Sequence, residues 1–297
     1  MRINERRTLL ATSRSGFTLM ELLVVIAIIA ALAALSAAAT LKFVASQQEA
    51  NTKSTLDKVQ SQLNKAWAKV KDQAYKEPIP PAYLPGIQAL AGNDANATGR
   101  VRVIYVKLKL RQAFPMNFNE ALNPSPLPPL PAYVTYLNGL GVTGSSGASY
   151  ESSACLLMAL QRGVSGAGID PAELTAGGAT GSTGNITYLT DAWSRPIYFT
   201  RVPTGCPVLN PAGPQPGTND PGDPQGYLQM AAWGTTYGPT FSAITLQQLA
   251  PGNTSYKLAP MVASGGQNNW TKTGTSPGFD PITFTPTAGN TALFSNP

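Results

Sequence analysis

From Phe17 to Leu41 the chain carries a single charge, Glu21, in 25 residues. A run that long and apolar is enough for a helix across a bilayer, which takes ~20 residues. The pattern then changes. Leu56, Val59, Leu63, Ala66, Val70 and Gln73 or Ala74 recur at alternating steps of three and four, with Lys53, Asp57, Lys58, Lys65, Lys69, Lys71 and Asp72 between them. This predicts an amphipathic helix with one face against a partner and Trp67 at its margin. Pro78, Pro80 and Pro81 stop it, because proline has no N–H for the helix ladder. If Phe17 to Glu77 is one helix, 61 residues give a length of about 90 Å.

Beyond residue 77 the periodicity is broken into short pieces. Residues 78–99 show none and are expected to be a loop. Arg100–Arg111 fits both a strand and a helix pattern. Its length and its long Lys and Arg side chains favour a helix. Pro115 and the prolines from 124 to 131 predict an extended passage, and residues 138–149 a Gly/Ser/Thr loop. Ser152–Arg162 reads as a short buried helix ending before Gly163. Residues 175–184 are expected to be a further loop. Ile186–Val202 reads as a pair of strands around a turn built on Asp191 and Pro196. Tyr227–Trp233 and Tyr256–Ser264 are the remaining strand candidates.

Composition sharpens this division. No Gly or Pro occurs between Phe17 and Glu77, whereas the 220 residues from Pro78 onward hold 27 Gly and 26 Pro. Aromatic residues and leucines recur through that second part, so it is read as folded rather than low-complexity. Charge adds less. Four of the 21 basic residues, Arg2, Arg6, Arg7 and Arg14, precede Phe17; without that stretch the net charge is +3, which gives little support to a nucleic-acid surface. The five cations of 100–111 read as a solvated face rather than a phosphate stripe. The chain has no His and two Cys, which excludes imidazole–thiolate zinc sites and His-based triads within it. No paired-carboxylate or Gly-rich phosphate motif occurs, so an enzyme is not expected.

The apolar run itself poses the chemical question. An acid at the bilayer centre costs ~2.5–3.5 kcal/mol on insertion scales, and a plain anchor has no need of Glu21. Residues 1–16 are short, basic and end in Gly16. A cut between Gly16 and Phe17 would leave the apolar run on the mature chain, unlike an ordinary secretory signal. The basic leader would keep the N-terminus cytoplasmic and send the C-terminal part across. If that part is exported, the pair Cys155 and Cys206 reads as one disulfide, the alternative being two buried thiols.

The stretch Gly16-Phe17-Thr18-Leu19-Met20-Glu21 and the apolar residues after it resemble the type IV pilin and type II secretion pseudopilin family. The resemblance implies a prepilin peptidase that cuts after Gly16 and methylates Phe17, with Glu21, the fifth mature residue, serving assembly. It also implies copies of the chain and other pilins as partners, an inner-membrane assembly platform, and a head that ends in the periplasm or outside the cell. Ala38 stands where many pilins have a kinking proline. Asp191, Trp193 and Pro196 resemble the Asp-x-Trp-Gly-x-Pro turn of major pseudopilins, with Ser194 in place of the Gly; Met261–Trp270 resembles their late Ser-x-Gly segment. In that group an adjacent loop binds calcium. Asp220 and Asp223, with Asn219, are the corresponding but weak candidates, since calcium takes six to eight oxygens. Asp191 reads as a turn cap rather than a metal ligand, and no cofactor is expected.

The expected architecture is therefore α+β and pilin-like: a long N-terminal helix, membrane-spanning and then amphipathic, packed on a small antiparallel sheet with long Gly/Pro-rich loops. The expected divisions are a leader at 1–16, a membrane and filament-core helix at 17–44, its amphipathic continuation at 45–77, a head at 78–270 and an exposed tail at 271–297. The expected role is a structural filament or pseudopilus subunit. The alternative is a minor or tip pilin that binds a surface, a protein or DNA through its loops.

Overall fold

A computed structural model describes residues 17–163, 180–203, 215–216, 220–230, 233–237, 240, 254–255, 258–266 and 293–294. The chain divides into two units, Met1–Gln47 and Gln48–Pro297. Helix α1, Leu19–Lys76, begins in the first and ends in the second.

In the first unit every residue from Phe17 to Val44 is exposed. The helix starts on a reciprocal cap. Glu21 N–H donates to Thr18 Oγ1 (3.2 Å) and Thr18 N–H to Glu21 Oε2 (2.8 Å), so two of the orphan donors at a helix start are satisfied. The only other hydroxyls of this stretch after Thr18, on Ser36 and Thr40, donate to the carbonyls of Leu32 and Ser36, both at 2.8 Å. Polar groups that satisfy themselves within the helix suit an apolar solvent. Ala38 causes no break, as expected of a residue that keeps its N–H. Among the described residues α1 is the one helix long and apolar enough to cross a membrane.

In the second unit the amphipathic half of α1 is one wall of the main core. Leu56, Val59, Leu63, Ala66, Val70 and Ala74 are buried, Gln73 is exposed, and Trp67 lies at the margin against Phe114, ring centroids 5.3 Å apart. Helix α6, Glu151–Arg162, adds Cys155, Leu156, Leu157, Ala159 and Leu160 to the same core. A second cluster joins α2 (Leu84–Ala91) and α3 (Ala97–Ala113) through Ile87, Leu90, Val103, Ile104, Leu108 and Trp233. Short helices α4 (Phe118–Leu122) and α5 (Pro131–Gly139) connect α3 to α6.

Strands β1 (Thr180–Thr183) and β2 (Ile186–Leu189) form an antiparallel hairpin. Strand β3 (Tyr198–Thr200) leads to the pair β4 (Gln215–Pro216) and β5 (Thr254–Ser255), then β6 (Met261–Ser264) and β7 (Leu293–Phe294). The order β3-β6-β7 makes a three-stranded antiparallel sheet. The buried amide of Gln60 fastens β6 to α1. Its Nε2 donates to Pro260 O (2.7 Å) and its Oε1 accepts from Val262 N (3.0 Å), which gives the strand a side chain in place of a neighbouring strand.

The α+β architecture, α3 as a helix and α6 agree with the sequence expectation. Six local expectations do not. Residues 78–99 contain α2, whose eight residues are too few for a visible period but bury Ile87, Leu90 and Ala91. The extended passage is interrupted by α4, which Asn117 caps by accepting from Glu120 N (2.9 Å), and it ends at Pro131, which opens α5 from a position where its missing N–H is not needed. The loop at 175–184 contributes β1, because Gly184-Asn185, with Gly184 at φ 59°, closes a two-residue hairpin. Strands β2 and β3 do not form a ladder with each other. The segments beside the turn are joined by the Thr190–Pro196 bridge and by bonds from Ile197 N to Leu189 O (3.0 Å) and from Asp191 N to Arg195 O (2.8 Å), while β3 takes β6 as its ladder partner. Tyr227–Gln229 is a turn of 3₁₀ helix rather than a strand, nucleated by Asp223, which accepts from the N–H groups of Tyr227 (3.0 Å) and Leu228 (2.7 Å). Within 271–297, Leu293–Phe294 pairs on β6, so that much of the expected tail belongs to the sheet; the rest lies outside the described residues.

Candidate functional site

Two places hold the residues singled out from the sequence. The first is the N-terminus of α1. Gly16 lies outside the described residues, and Phe17 is 81% exposed. Glu21 stands one helical turn beyond Phe17, its carboxylate occupied by Thr18, which adds a hydroxyl contact at 3.0 Å to the N–H bond. Nothing else in the apolar stretch bears charge, so this carboxylate is the one strong acceptor it can present to a cation.

The second is the turn after β2. Asp191 is 2% exposed and gathers three donors. Its Oδ1 accepts from Trp193 N and Arg195 N, each at 2.9 Å, and its Oδ2 from Ser264 Oγ at 2.6 Å. Burial pushes the carboxyl above the usual carboxylate range, opposed by Ser264 and the two N–H groups. Asp191 caps the turn, and it also ties the turn to β6. Arg195 strengthens the join by donating to Gly266 O (2.6 Å). Ala192 docks on α1, its N–H donating to Thr52 Oγ1 (3.1 Å). Ser194 has φ 60°, in the left-handed region where a Cβ is penalised, which explains why glycine suits this position. The indole N–H of Trp193 is buried without a partner among the described residues.

The calcium candidates sit in a different turn. Asp220 is 5% and Asp223 1% exposed. Asp220 pairs with the ammonium of Lys107 and accepts from Gly222 N at 2.8 Å. Asp223 faces the N–H groups of Tyr227 and Leu228, and burial pushes its carboxyl up. Asn219 lies outside the described residues. Among those described, no group of three or more His, Cys, Asp or Glu converges as a metal site. The ammonium of Lys107 supplies Asp220 with the positive charge that a metal would otherwise bring.

Helix α3 corrects the reading of its cations as a solvated face. Arg100 pairs with Asp94 (3.0 Å), Arg102 donates to the carbonyls of Ala74 (3.1 Å) and Glu77 (2.7 Å), and Lys109 pairs with Glu77 (3.2 Å). Lys107 holds Asp220, and Arg111 lies 3.4 Å from Glu120. These cations lock loops onto the helix. No pattern along the chain marks the buried partner at their end. Arg201 clamps Glu120 with both terminal nitrogens (2.7 and 2.9 Å) and also donates to Phe114 O (2.7 Å). Only tertiary contact brings these residues together across 81 positions.

Of the expected Cys155–Cys206 pair, Cys155 alone is among the described residues. Cys155 is a free thiol at 0% exposure, packed as a small apolar residue in α6. Its burial pushes the thiol well up, away from the reactive thiolate. Cys206 lies outside the described residues.

The chain thus joins, in chain order, a helix long and apolar enough for a membrane to an α+β head. The prokaryotic N-terminal methylation motif matches residues 12–37, and with the long N-terminal helix it supports placing the chain in the type IV pilin and pseudopilin family. That family is structural rather than enzymatic, and its motif implies processing by a prepilin peptidase and assembly with other pilins. No curated protein and no solved structure matches the chain.

Proposed function

We infer that the chain is a structural subunit of a type IV filament or type II secretion pseudopilus, cut and methylated at Phe17 and assembled through the first half of α1. The observation that carries this reading is the run from Phe17 to Val44, exposed throughout and bearing one carboxylate, Glu21, inside the stretch that matches the N-terminal methylation motif. Such a helix needs an apolar environment twice: first lipid, then a bundle of its own kind. The α-amino group freed on Phe17 of a neighbour is the cation that Glu21 then meets, which fixes the axial register of one subunit against the next. The contact of the Asp191 turn with Ser264 supports the pseudopilus side of the pair.

The test combines mass spectrometry of the mature N-terminus with filament assembly. A methylated Phe17 is expected. Glu21→Ala is expected to insert in the membrane at normal levels but to assemble no filament, because breaking a buried pair costs ~3–5 kcal/mol per contact. Normal filaments from Glu21→Ala, or an uncut leader, would sink the reading.

A further inference from the structure

Asn-x-Ser/Thr, with x not proline, occurs at Asn96, Asn185, Asn253 and Asn269. Only Asn96 also has an acid two residues earlier, in Asp94-Ala95-Asn96-Ala97-Thr98. The hydroxyl at the third position defines an N-glycosylation acceptor, and the acid beside it adds a negative charge that a cationic peptide groove can pair with. The fold puts this segment at the surface. Residues 93–95 and Thr98 are exposed, Asn96 is half-buried, and the Asp94 side chain is 48% exposed.

The local geometry leaves the acceptor side chain unused. Asn96 occupies the N-cap of α3, where an asparagine normally caps through its side chain, yet it makes no side-chain cap bond. Asp94 has taken over, accepting from Asn96 N at 2.9 Å. The Asn96 carbonyl still receives Arg100 N at 2.9 Å. Asn96 Nδ2 touches only Met230 Sδ, a weak acceptor, at 3.3 Å. Other asparagines nearby are engaged: Asn117 caps α4, and Asn119 pairs with Asn123. A substituent on Asn96 Nδ2 would therefore cost the fold one thioether contact and no cap.

We propose that Asn96 is an N-glycosylation site. Its co-substrate is an oligosaccharide linked to a polyprenyl diphosphate. Nδ2 forms a bond to the anomeric carbon, the bond from that carbon to the diphosphate oxygen breaks with its electron pair on the diphosphate, and one amide proton leaves to a base. Nothing is oxidised or reduced. The proposal rests on the reading that the head is exported, since the transfer takes place on the far side of the membrane.

The experiment uses the full chain, isolated from the membranes or filaments of its own cells and digested at lysine and arginine. Peptide 77–100 contains Asn96 as its one acceptor. Added mass in whole sugar units is expected on this peptide, placed on Asn96 by fragmentation. Asn96→Gln and Thr98→Ala should lose it, and Thr98→Ser should keep it. An unmodified peptide beside a cut, methylated Phe17 overturns the proposal and leaves the filament reading standing. An unmodified peptide beside an uncut leader overturns both. Sugar on a serine or threonine of the peptide also overturns the assignment.

Discussion

Asp191 shows how much one buried side chain can organise. It terminates a turn, satisfies two N–H groups and holds Ser264 of another strand. Its raised carboxyl means that the fold favours the protonated form. Asp191 therefore contributes most below the ordinary carboxylate pKa, and that contribution is lost as pH rises through the raised value. Asparagine keeps an acceptor for the turn and an N–H for Ser264 without the charge. At neutral pH Asp191→Asn should stay within about 1 kcal/mol of the parent in denaturant unfolding, whereas Asp191→Ala should lose about 3 kcal/mol from three abandoned donors. Ser194→Gly should gain about 0.5–1 kcal/mol by relieving a left-handed Cβ. Glycine's absence at 194 was legible in the sequence, but the strain it implies required the backbone angle. Asp220 and Asp223 make the opposite case. As residues they suggest calcium; as placed they are supplied by Lys107 and by N–H groups, so millimolar calcium should leave the melting temperature unmoved, and a clear rise would refute that account.

Helix α1 is the element that the sequence describes best. Its buried positions at 56, 59, 63, 66, 70 and 74 follow from spacing alone, because a helix face buries what its period aligns. The spacing does not reveal Gln60, a polar residue on that buried face. It is buried because β6 lacks a partner there and the amide supplies both a donor and an acceptor. Gln60→Ala should cost about 2–3 kcal/mol in urea unfolding by stranding Pro260 O and Val262 N. Leu63→Ala should cost about 2–5 kcal/mol through the cavity left behind, and exposed Lys65→Ala within about 0.5 kcal/mol. Short elements were less legible. α2, α5 and β1 each span too few residues to show a period, and their identity comes from Leu84-Pro85, Pro131 and Gly184-Asn185 at their ends.

At the scale of the molecule, the second unit carries its own core while the first presents apolar surface along its described length. The head's stability leans on a buried charge cluster. Burial would raise the carboxyl of Glu120, but Arg201, with Met116 N–H and Arg111 behind it, holds it below the usual range. A lowered carboxylate pKa gives stability that is present above the ordinary value and lost as pH falls through the lowered one. Unfolding followed from pH 7 to pH 3 should show that loss, and Glu120→Gln should flatten it while costing ~3–5 kcal/mol at neutrality from an Arg left half-paired. If the variant shows an unchanged acid limb, Glu120 is not its source.

Sequence alone determined the N-terminal quarter of this protein, up to the end of α1. Cleavage motif, apolar run, lone acid and amphipathic face are local or periodic, and a helix turns such patterns directly into surfaces. The head was decided by tertiary structure. Arg201 with Glu120, Gln60 with β6, Lys107 with Asp220 and Asp191 with Ser264 join residues dozens to hundreds of positions apart, and no period records which polar group will satisfy which once both leave water.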